Sequence, residues 1–148
     1  MKVLACDPYI GREYADANGI TMVDFPTVIR ESDFLSLNVP LTDETRLFIS
    51  ADAMRNMKKG AIIVNTARGG LIDDEAAYEL LTSGHLGGMG LDVYEIEPPK
   101  KSPLFALENV VLTPHTAAHT AEATAAMADL AVENLINVLS GRECKFTV

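Results

Sequence analysis

The sequence predicts an α/β fold built on a mostly parallel sheet, and three observations carry that prediction. Short runs rich in Val, Ile and Leu alternate along the chain with stretches of helical character. One run, AIIVN at 61–65, is apolar almost throughout, as expected of a strand covered on both faces. Asp7, Asn38, Thr66, Asp92 and His115 all fall just after predicted strands, and open α/β sheets bind ligands at the carboxyl ends of their strands.

Taken in order, residues 3–6 read as a strand and 11–17 as a short helix ended by Asn18-Gly19. A second strand covers 20–25, and Pro26 suits the first turn of a helix running to Arg30 or Glu31. The third strand, 34–39, is stopped by Pro40. Ser50 is the expected N-cap of a helix over 51–57, and Gly60 ends that segment. After the 61–65 strand, Asp73 and Asp74 open a helix over 75–82 that ends at Gly84. Strands come next at 89–93 and 110–113, separated by the Pro-rich stretch 97–103. An Ala-rich helix over 120–139 closes before Gly141, and its Ala123, Met127, Leu130, Leu135, Val138 and Leu139 read as core.

Composition narrows the classes. A chain of 148 residues suits one domain, and 48% hydrophobic with 22% charged residues excludes a disordered or collagen-like chain. The net charge of -9 argues against duplex nucleic acid or an anionic membrane as the main partner. Cys6 and Cys144 are too few for a disulfide scaffold and do not form a metal-like pair, which points to a reducing, cytoplasmic compartment. The N-terminal residues lack the pattern of a signal peptide, and no apolar run approaches the ~20 residues of a membrane helix.

Several residues carry candidate chemistry, each with a plainer alternative. A carboxylate in the place of Asp7 can accept hydrogen bonds from ribose hydroxyls and repel a 2′-phosphate; Asp7-Pro8 is equally a turn. Arg68, before two glycines, can grip a carboxylate in bidentate fashion, or pair with Asp73 or Asp74 at a helix start. His115 beside a carboxylate such as Glu97 would hold a proton near neutral pH and deliver it; alone, each reads as a structural histidine and a loop charge. His119 reads as a first-turn surface residue and not a metal ligand, and His85 as structural.

The segments KVLACDPY, LNVPLTDETRLFIS, MKKGAIIVNTARGGLIDDEA, GMGLDVYEIEPP and LENVVLTPHTAAHT together resemble the NAD-binding domain of the D-isomer-specific 2-hydroxyacid dehydrogenases. That is the family of phosphoglycerate dehydrogenase, hydroxypyruvate reductase and D-lactate dehydrogenase. The resemblance implies a Rossmann-type, doubly wound, mostly parallel sheet. By it, Arg68 is the catalytic arginine, Glu97 the catalytic glutamate and His115 the proton donor. Asp7 becomes the ribose ligand and Asp92 the nicotinamide-side aspartate, with further cofactor contacts at Val39, Pro40, Thr45, Thr66, Ala67 and Ala118. Glutamate at 97 also speaks against the formate dehydrogenase branch.

The departures are specific. No G-x-G-x-x-G is present; Gly87, Gly88 and Gly90 lie within a strand and open no helix. In the family that loop and its strand precede the segment matched here, and the substrate domain is built from both chain ends. Residues 1–148 therefore resemble a partial NAD-binding domain, without its first βα unit and without a substrate domain. The implied activity is hydride transfer between NAD and a small D-2-hydroxy acid or 2-keto acid, with the activity of this half alone left open. The alternative is a non-enzymatic NAD-sensing or association module, as in the corepressor members. The absent central strand leaves three arrangements: direct closure of the two halves, detachment of the first two strands, or pairing with another copy. The last is favoured, giving a homo-oligomer, with a dimer the simplest case, because it satisfies the open edges.

Overall fold

Parallel pairing and side-chain caps together set the elements of this chain. The computed structural model describes residues 1–144. A first unit, Met1–Pro114, carries β1 (Val3–Ala5), α1 (Arg12–Ala17), β2 (Ile20–Met22), α2 (Phe25–Glu31), β3 (Phe34–Leu37) and α3 (Ala51–Arg55). It continues with β4 (Ala61–Asn65), α4 (Asp74–Thr82), β5 (Leu86–Leu91), a 3-10 turn at Pro103–Ala106 and β6 (Val110–Leu112). The second unit begins at His115 and contains α5 (Ala121–Leu139). The 145–148 segment, where the resemblance puts the return toward a substrate domain, lies outside the described residues.

Polar side chains fix four helix starts by accepting the N–H three residues on. Asp24 accepts from Thr27, Ser50 from Ala53, Asp73 from Ala76 and Thr120 from Ala123, at 2.9 to 3.3 Å. The Asp24 cap corrects one expectation. The second strand stops at Met22, and the helix begins at Phe25, with Pro26 still in its first turn.

All the strand pairs are parallel, as expected. They form two separate sheets, β1-β2 and β3-β4-β5-β6, with no ladder joining them among the described residues. Direct closure of the halves into one continuous sheet is therefore not what the chain adopts. Both sheets share one core: Leu4 and Val23 pack against the buried cluster, and the rings of Phe25 and Phe48 stack at 5.4 Å.

That core lies on one face of the larger sheet. Leu35, Leu37, Ile63, Met89 and Leu91 share this face by register, and Val28, Ile29, Met54, Ala77 and Leu81 from α2, α3 and α4 complete the buried cluster. The other face carries Phe34, Val64 and Val111, of which Phe34 is 69% and Val111 68% exposed. The 61–65 strand is thus fully covered on one face only, contrary to the expectation from its apolar run. Its neighbour β5 begins at Leu86, three residues before the predicted start. Gly87 is the extra residue of a bulge opposite Ala61 and Ile62, while Gly88 and Gly90 keep their places in the ladder. A Cβ on Gly87 would collide with the Gly60 carbonyl oxygen, so the turn before β4 can approach only a glycine.

The apolar residues of α5 overturn the reading of that helix as core. None of its residues is buried, and Met127, Leu135, Val138 and Leu139 are each more than half exposed. Within its own unit α5 has no second regular element among the described residues to pack against. No helix among the described residues is long and apolar enough to cross a membrane.

Candidate active site

The site is built on the carboxyl ends of β4, β5 and β6, which lie side by side. Beyond β4 the chain passes through Thr66 and Ala67 to Arg68, whose side chain is exposed. The guanidinium donates to the carbonyl of Ala67 at 2.7 Å. It forms no ion pair with Asp73 or Asp74, so the alternative of a helix-start salt bridge does not hold; Asp73 instead caps α4. Beneath the loop, Asn65 is 2% exposed. Its Nδ2 donates to the carbonyl of Arg68 at 2.8 Å, and its Oδ1 accepts the N–H of Ala67 at 3.1 Å.

Gly69 brings this loop against the one after β5. A Cβ there would overlap the carbonyl group of Tyr94 and the nitrogen of Glu95, so the two backbones meet face to face. The β5 loop carries Glu97, whose Oε1 accepts the N–H of Tyr94 at 3.0 Å. That bond turns the carboxylate back onto its own loop and gives it a fixed orientation. The peptide between Glu97 and Pro98 is cis.

Tyr94 also ties β5 to β6. Its hydroxyl donates to the carbonyl of Thr113 at 2.8 Å, and its ring meets Phe105 edge to face at 5.8 Å. Burial, reinforced by the charges of Asp92 and Glu97, pushes the phenol above its ordinary value, so it remains a donor at neutral pH. Asp92 is 3% exposed and accepts a hydrogen bond from the Thr113 hydroxyl. A cavity of about 200 Å3 lies beside these loops, lined among others by Asn65, Gly69, Asp74, Tyr94, Lys100 and Phe105. Partial burial, then Glu95 and Asp73, hold the Asp74 carboxyl above the usual carboxylate value.

The remaining candidates are placed separately. Asp7 comes after β1, and its Oδ1 accepts the N–H groups of Tyr9 at 2.7 Å and Ile10 at 3.1 Å. It therefore forms the turn that its sequence allowed, while Oδ2 makes no bond among the described residues. After β3, Asn38 donates to Ser36, and Val39 packs on the core. The Thr45 hydroxyl donates to the Pro40 carbonyl at 2.7 Å and accepts from Thr42 at 2.8 Å, so it is engaged inside its own loop. In the second unit His115 and Ala118 are exposed, and His115 has φ 56°, a left-handed conformation uncommon outside glycine. The N–H of His119 donates to the Thr116 carbonyl at 2.9 Å. His85 bonds the Met54 carbonyl at 3.0 Å through Nε2, in keeping with a structural histidine.

Sequence reasoning missed the roles of Asn65 and Tyr94. Asn65 had a usable signal: one carboxamide closing an otherwise apolar strand. Tyr94 had none, because its partners are 19 residues away at Thr113 and, in space, at Gly69.

Gly69→Ala is expected to separate the Arg68 and Glu97 loops. It should lower stability by about 1–3 kcal/mol, the usual cost of overpacking. Urea denaturation checks this, and unchanged stability would mean that the two backbones do not touch.

Comparison with known proteins agrees with this geometry. Residues 1–117 match the family described as D-isomer specific 2-hydroxyacid dehydrogenase, NAD binding domain. The chain is 46% identical over 142 residues to D-3-phosphoglycerate dehydrogenase of Methanocaldococcus jannaschii, covering 95% of this chain and 27% of that protein. It is 50% identical over 126 residues to hydroxypyruvate reductase of Thermotoga maritima, covering 83% of this chain and 40% of that protein. The solved structure of D-lactate dehydrogenase with NAD+ from Lactobacillus jensenii superposes with a TM-score of 0.88 at 32% identity, over 99% of this chain and 48% of that one. The chain thus spans between about a quarter and a half of the length of the relatives it matches. With its parallel strands and the arginine and glutamate loops at their carboxyl ends, it belongs to the D-isomer specific 2-hydroxyacid dehydrogenase family, as a NAD-binding domain.

Proposed function

We propose that this chain is the NAD-binding, catalytic half of an oxidoreductase that moves a hydride between NAD(H) and a small D-2-hydroxy acid or 2-keto acid. The observation that carries the reading is the contact between the Arg68 and Glu97 loops through Gly69, at the carboxyl ends of adjacent parallel strands. Family membership supplies the class of reaction.

The residues present suit the two ends of a dinucleotide. Oδ1 of Asp7 is held by two backbone N–H groups, which keeps the carboxylate oriented and leaves Oδ2 to accept from the ribose hydroxyls. Asp92, fixed by Thr113, supplies a buried acceptor on the nicotinamide side. Val39, Pro40, Thr45, Thr66, Ala67 and Ala118 complete the proposed contacts. The bound nicotinamide supplies the hydride in reduction and takes it back in oxidation.

The chain's own groups do the rest. Arg68 binds the substrate carboxylate and polarises the C2 carbonyl. His115 gives a proton to the carbonyl oxygen as the C–H bond forms at C2, and in the reverse direction removes it from the hydroxyl. Glu97 completes the proposed catalytic set as its carboxylate. The substrates named for the relatives (3-phosphoglycerate, hydroxypyruvate, glyoxylate and lactate) share a carboxylate next to the reacting carbon, which is the part Arg68 would read.

NADH oxidation with hydroxypyruvate, glyoxylate or pyruvate tests the reaction. Turnover that falls by roughly 10²–10⁴ in His115→Ala is expected, the usual range for a general acid. NAD binding without turnover would mark an association module instead. Calorimetry should show NAD binding more tightly than NADP, because Asp7 would meet the 2′-phosphate; equal affinities would remove Asp7 from the ribose.

We also propose that the chain self-associates in a reducing, cytoplasmic setting. The separate sheets leave strand edges open, Phe34 and Val111 lie exposed, and both cysteines are free thiols. Light scattering at micromolar concentration is expected to show a dimer or larger species, and a monomer would overturn this part.

A further inference from the structure

Arg68 projects from a loop in which Thr66 is exposed and the following Gly69 meets the Tyr94–Glu95 backbone. A second support for the loop lies beneath it. The Asn65 carboxamide reaches up from the last position of β4 and bonds two peptide groups at once, the N–H of Ala67 through Oδ1 and the carbonyl of Arg68 through Nδ2. The Arg68 guanidinium closes back on the carbonyl of Ala67, the residue whose N–H Asn65 already holds. Asn65 occupies a core position, 2% exposed, in register with Leu37 and Leu91 on the covered face. A polar side chain is costly there unless its donors and acceptors are met. No apolar residue could make either bond, and a carboxylate could make only one of them.

We propose that Asn65 is a positioning residue for Arg68. Its carboxamide locks the backbone on both sides of the arginine, so that the guanidinium leaves the loop at a set place and angle. The effect on ligand binding rests on the reading of Arg68 as the carboxylate ligand; the effect on loop order does not.

The two bonds can be separated by substitution. Asn65→Ala removes both. Asn65→Asp keeps an acceptor for the Ala67 N–H, but turns an oxygen toward the Arg68 carbonyl in place of the donor. Ile63→Val, in the same strand and fully buried, controls for loss of stability without touching the loop.

The test uses the whole chain with three readouts: amide hydrogen exchange and the Arg68 carbonyl carbon shift by NMR, and calorimetric titration with oxalate, an unreactive carboxylate probe. In Asn65→Ala the Ala67 amide should exchange at least about tenfold faster, and oxalate should bind about tenfold more weakly. In Asn65→Asp the Ala67 amide should stay protected, while the Arg68 carbonyl shift moves and oxalate binding still weakens. Ile63→Val should match the wild type in all three.

An Ala67 amide and Arg68 carbonyl that stay as in the wild type in both Asn65 variants would overturn the proposal. So would the same changes in Ile63→Val, which would mean general loosening of β4. Should Asn65→Ala not fold, Asn65→Asp alone decides: an unmoved carbonyl shift sinks the idea. A wild type that shows the expected loop order but no oxalate binding would refute the carboxylate role of Arg68 and leave Asn65 as the residue that orders its loop.

Discussion

Two loop backbones meet at Gly69, and the Arg68 and Glu97 loops take their places around that contact. The Arg68 and Glu97 loops leave β4 and β5, which are parallel and adjacent, so both emerge at the same edge of the sheet. Adjacency alone starts the two loops roughly 4.8 Å apart, and a Cβ on a loop residue facing the other loop would hold them off. The absent Cβ of Gly69 removes that spacer, and the Tyr94–Glu95 peptide fills the space. The arginine and the glutamate therefore take their places from one shared surface of main chain.

Buried polar groups hold that surface in place. Asn65 and Asp92 are the two polar residues buried among the core of the described chain; Asn65 ends β4 and Asp92 directly follows β5. Each is satisfied across a loop: Asn65 by Ala67 and Arg68, Asp92 by Thr113. Leaving either partner unmade would cost about 1–3 kcal/mol, so these bonds select one loop conformation over its competitors. Tyr94 extends the same logic to β6, where its hydroxyl takes the Thr113 carbonyl two residues before His115 in the sequence.

The sheet that supports this arrangement is one-sided. Its covered face, from Leu35 to Leu91, carries the core, whereas Phe34, Val64 and Val111 on the other face remain in contact with solvent. The site thus rests on half of a sandwich. Rigidity reaches the loops from α2, α3 and α4 through the covered face.

The class of fold and the order of its strands and α-helices were legible in the amino-acid order. Those are local matters: AIIVN is too short and too apolar for anything but a strand, and Ser50, Asp73 and Thr120 cap the helices after them. Arg68, Glu97 and His115 each lie beyond the end of a strand. Their grouping into the family was legible because five motifs kept their order, although the parts of the site were not yet assembled. Three features came from packing alone. Gly87 reads simply as a residue within a strand, and only the approach of the Gly60 turn shows why it is a glycine. The apolar stripe of α5 reads as core, yet burial depends on a partner that periodicity cannot name. The partners of Asn65 and Tyr94 are written in no motif, because both act through bonds to backbone atoms that folding brings near. Side-chain identity is written in the sequence, whereas which main-chain groups it meets is set by packing.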